Sequence, residues 1–213
     1  MKTLLKRIVG IVLGLLILPA TLLFRLQAVA GSRDSAFAGW TQLLSLLPGT
    51  VGVYLRHAFL RQNSAGCLDN ACVSFGTIFS HPDVKLGRHA YIGNFCSIGN
   101  ATIGDDVLIA SHVSVMNGTR QHGTERLDIP MREQPGDYPP VSIGNDTWIG
   151  ERATIAASIG SHCIIGAGAL VLADIPDYSI AVGVPARVIR SRLPIDSASK
   201  SSIAELEIPC TRR

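Results

Sequence analysis

The sequence predicts a mainly β fold in which short strands and sharp turns stack into a triangular coil behind an N-terminal hydrophobic helical region. Three observations predict it. A six-residue period runs from Leu86 to Pro176 with one interruption, glycine recurs at one place within that period, and seventeen uncharged residues run from Ile8 to Phe24. Composition agrees: 47% hydrophobic but only 6% aromatic, with 21 glycines, describes a core of small and β-branched side chains. A charged fraction of 16% excludes a disordered chain, and a scattered net charge of +3 gives no nucleic-acid footprint.

The period starts at Leu86. The chain reads LGRHAY, IGNFCS, IGNAT, IGDDVL, IASHVS and VMNGTR, then resumes as IGNDTW, IGERAT, IAAS, IGSHCI, IGAGAL and VLADIP. The aliphatic positions are Leu86, Ile92, Ile98, Ile103, Ile109 and Val115, then Ile143, Ile149, Ile155, Ile159, Ile165 and Val171. Glycine mostly follows the aliphatic residue, as at Gly87, Gly93, Gly144 and Gly150, and is expected to take a left-handed corner without a Cβ penalty. Four places after the aliphatic residue stands a small or β-branched one, among them Ala90, Cys96, Thr147 and Cys163. Three such strands close one coil, and stacked coils bury a continuous core. Twelve units make about four coils, with Cys72 to Asp83 as a partial extra one.

The first sixty residues carry the membrane expectation. A helix over the run between Arg7 and Arg25 nearly crosses a hydrocarbon layer of roughly 30 Å, and Lys2, Lys6 and Arg7 favour a cytosolic N-terminus. A cleaved signal peptide, with Ala28-Val29-Ala30 before Gly31, is the rival. In the milder run from Ser35 to Leu55, Phe37, Trp40, Leu44 and Leu47 recur at helical spacing. They fit either an amphipathic helix in a membrane interface or a helix packed on the main domain. The division expected is 1–60 membrane-associated helices, 61–192 coil and 193–213 flexible tail, with the coil on the cytoplasmic face of the cell membrane.

Five cysteines, an odd number, make neither a disulfide framework nor a zinc site; Cys67 and Cys72 lack zinc-ribbon spacing and no second pair answers them. Cys96 and Cys163 read as small core residues. The repeat breaks once, over 117–141, and long excursions from a rigid scaffold are where functional groups concentrate. That loop holds one histidine, His122, near Arg120, Glu125 and Asp128. Histidine is suited to taking a proton near neutrality. His89, His112 and His162 fall at outward positions of the hexads.

The hexads, the loop and the closing segment AVGVPARVIR, from Ala181 to Arg190, resemble the hexapeptide-repeat acyltransferases, most of all the galactoside and maltose O-acetyltransferase type and its exopolysaccharide relatives. The resemblance covers roughly Phe75 to Arg192. It implies a left-handed parallel β-helix, a homotrimer with clefts between subunits, and acetyl-CoA as acyl donor without a metal. A loop histidine in such enzymes is the general base, which gives that role to His122. The family's usual histidine falls near Arg120, two residues earlier. Arg187 and Arg190 stand where two arginines approach the phosphates of CoA, Trp148 matches a tryptophan near its arm, and Ala167 matches a backbone donor. Asn94 matches an acceptor-binding asparagine, and a plain corner residue is the other reading. Ala173 replaces a lysine of the family's VTKDIP. In the trimer His122 would face Arg187 and Arg190 of an adjacent chain.

The function this implies is O-acylation, with acetyl as the expected acyl group, of a sugar in a polysaccharide or lipid-linked precursor. A sugar N-acetyltransferase and a non-catalytic membrane-bound trimeric scaffold are the alternatives. A zinc lyase on the same coil would need three converging histidines, and His89, His112 and His122 lack a convergent spacing.

Overall fold

A computed structural model describes Gly10 and residues 12–193. Helical turns at 12–16 lead through Ile17 into α1 (Leu18–Ala30), followed by α2 (Arg33–Ser45) and α3 (Gly49–Asn63). Ser32 caps α2, its hydroxyl accepting the Ser35 N–H at 3.3 Å. The three helices meet through Phe24, Phe37, Phe59 and Trp40, whose ring centroids lie 5.7–6.3 Å apart. Thr21 on α1 hydrogen-bonds Gln62 and Asn63 on α3. Arg56 is buried and ties the layer to the coil, donating to the carbonyls of Leu44, Leu47 and Val73 at 2.8–3.0 Å.

These contacts overturn the expected membrane span. Among the described residues no helix is long and apolar enough to cross a membrane. α1 has 13 residues, about 20 Å, and buries Thr21 and Phe24 against its neighbours while Leu22, Leu23, Leu26 and Val29 stay exposed. Phe37 and Leu44 are buried where α2 packs on the coil, the internal alternative for that run. The assignment to the cytoplasmic face of the cell membrane falls with the span. Lys2, Lys6 and Arg7 lie outside the described residues, as does the tail from 194 onward.

The coil begins at Gly66, about twenty residues before the first clear hexad. Its first turn is β1 (Gly66–Cys67), β2 (Cys72–Val73) and β3 (Ile78–Phe79). The second is β4 (Lys85–Leu86), β5 (Tyr91–Ile92) and β6 (Ser97–Ile98); the third is β7 (Ala101–Ile103), β8 (Leu108–Ile109) and β9 (Ser114–Val115). After the loop come β10 (Val141–Ile143), β11 (Trp148–Ile149) and β12 (Thr154–Ile155). A bridge at Ile159 then leads to β13 (Ile164–Ile165) and β14 (Leu170–Val171), and one at Ile175 to β15 (Ser179–Val182). The antiparallel β16 (Arg187–Ser191) closes the end.

Like strands of successive turns pair in parallel and make three faces. Face one is β1-β4-β7-β10, face two β2-β5-β8-β11-β13-β15-β16 and face three β3-β6-β9-β12-β14. The predicted aliphatic positions point inward: Ile92, Ile109, Ile149 and Ile165 stack on face two with at most 1% exposure. The small positions fill the corners, where Thr147 donates to the Gly160 carbonyl at 2.8 Å and accepts the Cys163 N–H at 3.1 Å.

The glycines play a different part from the one expected. Most left-handed corners are taken by Asn70, His89, Phe95, Asp106, His112, Asp146, Arg152, His162 and Tyr178, all with positive φ, and Gly76 and Gly168 take two others. Gly87, Gly93, Gly144 and Gly150 are not in that conformation. They are small because the next turn presses on them: a Cβ on Gly93 would lie 2.6 Å from the Ala110 carbonyl carbon, and one on Gly150 2.5 Å from the Ala167 nitrogen. Close approach of backbones, rather than conformation, selects glycine there.

Candidate functional site

In each two-residue strand the second side chain fills the core and the first faces out. On face one the outward residues are Lys85, Thr102, Ser142 and Ser158, all polar, and on face three Ser97, Ser114 and Thr154 accompany Ile78 and Leu170. Face two differs. Register puts Tyr91, Leu108, Trp148, Ile164 and Ile180 in one unbroken ladder, ending opposite Arg190. Tyr91, Leu108 and Trp148 are 40–52% exposed, so an apolar rail about 5 Å per step lies open on one side of the coil.

Arginines crown the rail. Cross-strand partners share a face, so Arg190 beside Ile180 and Arg187 beside Val182 both project over face two. Both are exposed, and neither forms an ion pair with a described residue. Arg192, which the sequence reading passed over, reaches back along the wall of the same face and lines a hollow of about 120 Å³ with Asp106, Leu108, Asp146, Thr147, Trp148 and Ile164. Ala167 and Asn94 are exposed on the corner between faces two and three, three turns apart. The Ala167 N–H donates to no described group.

The loop leaves β9 on face three and returns to β10 on face one, so it springs from the corner opposite face two. Gln134 is 7% exposed and organises it, accepting the Arg126 N–H at 3.0 Å and donating to the Arg126 carbonyl at 2.7 Å. Arg126 also grips Asp128, which holds that carboxyl below the usual range. Arg120, where the family's histidine is expected, bonds Asp137 by side chain at 3.4 Å and accepts its N–H at 2.8 Å. Arg120 is thus a brace of the loop. His122 is exposed and meets the edge of Tyr138, ring centroids 6.4 Å apart.

The structure therefore gathers Trp148, Arg187 and Arg190 on one face, flanks them with Ala167 and Asn94, and puts His122 on the far corner of the same chain. Cys96 and Cys163 are fully buried, and burial raises both thiols, as suits core residues. His89, His112 and His122 project from three different corners. Among the described residues no three His, Cys, Asp or Glu side chains form a metal-binding group. One sequence signal for the rail was present: the residue before the inward aliphatic is apolar at every third unit.

Fold and site together define a left-handed parallel β-helix protein of the hexapeptide-repeat class. A profile for the hexapeptide repeat of succinyl-transferase matches residues 140–173. The chain is 35% identical over 142 residues to the galactoside O-acetyltransferase of Escherichia coli, covering 63% of this chain and 68% of that one. It is 38% identical over 125 residues to "Probable acetyltransferase Rv3034c" of Mycobacterium tuberculosis, covering 58% of this chain and only 40% of that protein. A solved galactoside acetyltransferase in complex with coenzyme A superposes with a TM-score of 0.60 at 26% identity, over 76% of this chain and 84% of that one. The chain belongs to the hexapeptide-repeat acyltransferase family.

Proposed function

We propose that the chain is an acetyl-CoA-dependent O-acetyltransferase whose acceptor is a sugar hydroxyl, on a polysaccharide or its lipid-linked precursor. The observation that carries this reading is the face-two rail ending in two arginines free of carboxylates. The donor site fits such a substrate. From Trp148 to Arg190 is three strand spacings, roughly 14 Å, a length an extended pantetheine chain spans. Arg187 and Arg190 supply planar donors for phosphates, and Ile180, Ile164 and Trp148 supply apolar contact for the arm. The relatives' names and the coenzyme A complex of a structural neighbour support the donor class, and the galactoside enzyme supports a sugar acceptor.

The chemistry assigned to the residues is a direct transfer. His122 takes the proton of the acceptor hydroxyl as its oxygen attacks the thioester carbonyl carbon. The carbon–oxygen bond forms, the carbon–sulfur bond breaks, and the proton held on His122 passes to the departing thiolate. The Ala167 N–H is available to the carbonyl oxygen as it gains charge. A thioester is already activated, so positioning and proton removal supply most of the rate.

One subunit cannot assemble this site, because His122 and the rail lie on opposite sides of the coil. The loop sits at the height of β9 and β10, and Leu108 and Trp148 stand on strands of the same two turns. A homotrimer about an axis along the coil brings the loop of one copy to the rail of the next at that height. Calorimetric binding of acetyl-CoA and acetyl transfer to a panel of sugars test the reading. His122→Ala is expected to lower turnover by roughly 10² to 10⁴ with donor affinity unchanged. Full activity in that variant removes the proposed base, and no donor binding by the native protein removes the function.

A further inference from the structure

We propose that Arg192 is a positioning residue for the donor site, strapping β16 to the coil so that Arg187 and Arg190 stand preformed over the rail. The inference rests on the donor reading above. β16 needs such a strap. All five of its residues are exposed, it pairs on one side only, and its ladder with β15 is interrupted by a bulge between Ile180 and Ala181. Exposed edge pairing of this kind opens readily.

Arg192 follows the strand and is fastened at several points. Its N–H donates to the Tyr178 carbonyl at 2.6 Å. Its guanidinium donates to the His162 carbonyl at 2.8 Å and the Asp146 carbonyl at 3.5 Å, and lies 3.7 Å from the Asp146 carboxylate. The partners are themselves locked: His162 Nδ1 is 2.9 Å from the Asp146 carboxylate, and the His162 ring stacks on Tyr178 at 4.9 Å and 10°. The anchor thus spans three turns of the corner between faces one and two, all of it rigid coil. An isolated surface ion pair contributes little. A planar guanidinium bridging two carbonyls on different turns constrains direction as well as distance. There is an electrostatic consequence too: Arg192 lies 3.7 Å from the Asp146 carboxylate where both line the hollow beside the rail, and so offsets that negative charge next to a groove proposed to take a polyanionic donor.

The test uses the full chain with Arg192→Ala and Arg192→Lys. Hydrogen exchange of the amides over 187–191 is expected to quicken in both variants, since an ammonium cannot reproduce the planar bridge. KM for acetyl-CoA is expected to rise roughly tenfold, the loss from one misplaced charge-assisted phosphate contact. The loss of kcat/KM with S-acetylpantetheine, which lacks the nucleotide phosphates, is expected to be much smaller than with acetyl-CoA, and kcat at saturating acetyl-CoA is expected to change little. Exchange like that of the native chain, equal losses with both donors, or full recovery by lysine would each overturn the strap. If the native protein binds acetyl-CoA and Arg192→Ala binds it equally well, this inference alone falls. If the native protein binds none, the donor reading falls and takes this one with it.

Discussion

Replacing Trp148 by alanine removes the centre of the rail, and the size of the effect follows from its exposure. The side chain is 52% exposed, so of the roughly 250 Å² a tryptophan can bury about 130 Å² remains for a ligand. At about 25 cal/mol per Å² the ceiling is about 3 kcal/mol. A flexible arm lying along the rail covers one side of the ring, about half of that area, which leaves about 1.6 kcal/mol or roughly fifteenfold in affinity. Titration calorimetry of acetyl-CoA into native and Trp148→Ala protein measures it directly. Tyr138→Ala is the control, because that half-exposed ring touches His122 on the opposite corner and is expected to alter turnover while leaving donor affinity alone. Affinity unchanged in Trp148→Ala, or lost equally in Tyr138→Ala, would refute the placement of the donor on face two.

Three further outcomes follow from the geometry. Thr147→Val leaves the Gly160 carbonyl and Cys163 N–H without their shared hydroxyl and is expected to cost about 2–4 kcal/mol, read as a fall in the thermal midpoint. Gln134→Ala is expected to speed amide exchange across the loop and lower turnover while the coil's thermal midpoint moves little, because the bonds it loses lie within the loop. Burial pushes the Cys67 thiol up to about 12, whereas in the unfolded chain it ionises near 8.5. Between those values the unfolded state binds fewer protons, so stability falls as pH rises, by up to about 1.4 kcal/mol per unit for this group. Urea midpoints at pH 8 and pH 10 are expected to differ less in Cys67→Ala than in the native chain.

The coil from Leu86 onward was legible because its inward positions are nearly all Ile, Leu or Val at fixed spacing. The first turn was legible only in part, as the stretch from Cys72 to Asp83, and its opening strand at Gly66 was not. Its inward residues are Cys67, Val73 and Phe79, also six apart, but Leu68, Ser74 and Ser80 follow them in place of glycine. Part of that turn lies under α2 and α3, so it is shielded by helices where later turns are covered only by one another. The N-terminal run misled for a related reason. Hydropathy records that Phe24 and Thr21 lie in an apolar stretch, but whether lipid or a helix covers them depends on Phe37 and Phe59, far along the chain. Arg187, Arg190 and Trp148 entered as candidates through a family motif. The contact proposed to hold them in place was invisible, since Arg192 and Asp146 meet only after the chain has closed almost three turns.

The same geometry explains why the donor half of the proposed site is easier to read than the acceptor half. Apart from β16 and the corner residue Ala167, every proposed donor contact is an outward position on a strand whose neighbours above and below are held by backbone bonds and by glycines that admit no Cβ. Such a surface tolerates little drift, so recognition of a fixed donor can be written into a six-residue period. The proposed base sits instead on an excursion of some twenty-five residues held by one glutamine and two arginine–aspartate pairs. In the proposed trimer the acceptor is gripped between that loop and a second subunit, by surfaces no periodicity constrains. A shift of the histidine from position 120 to 122 is therefore tolerable in a way that a shift of Trp148 by one residue is not: the first re-aims a loop, whereas the second turns the ring into the core.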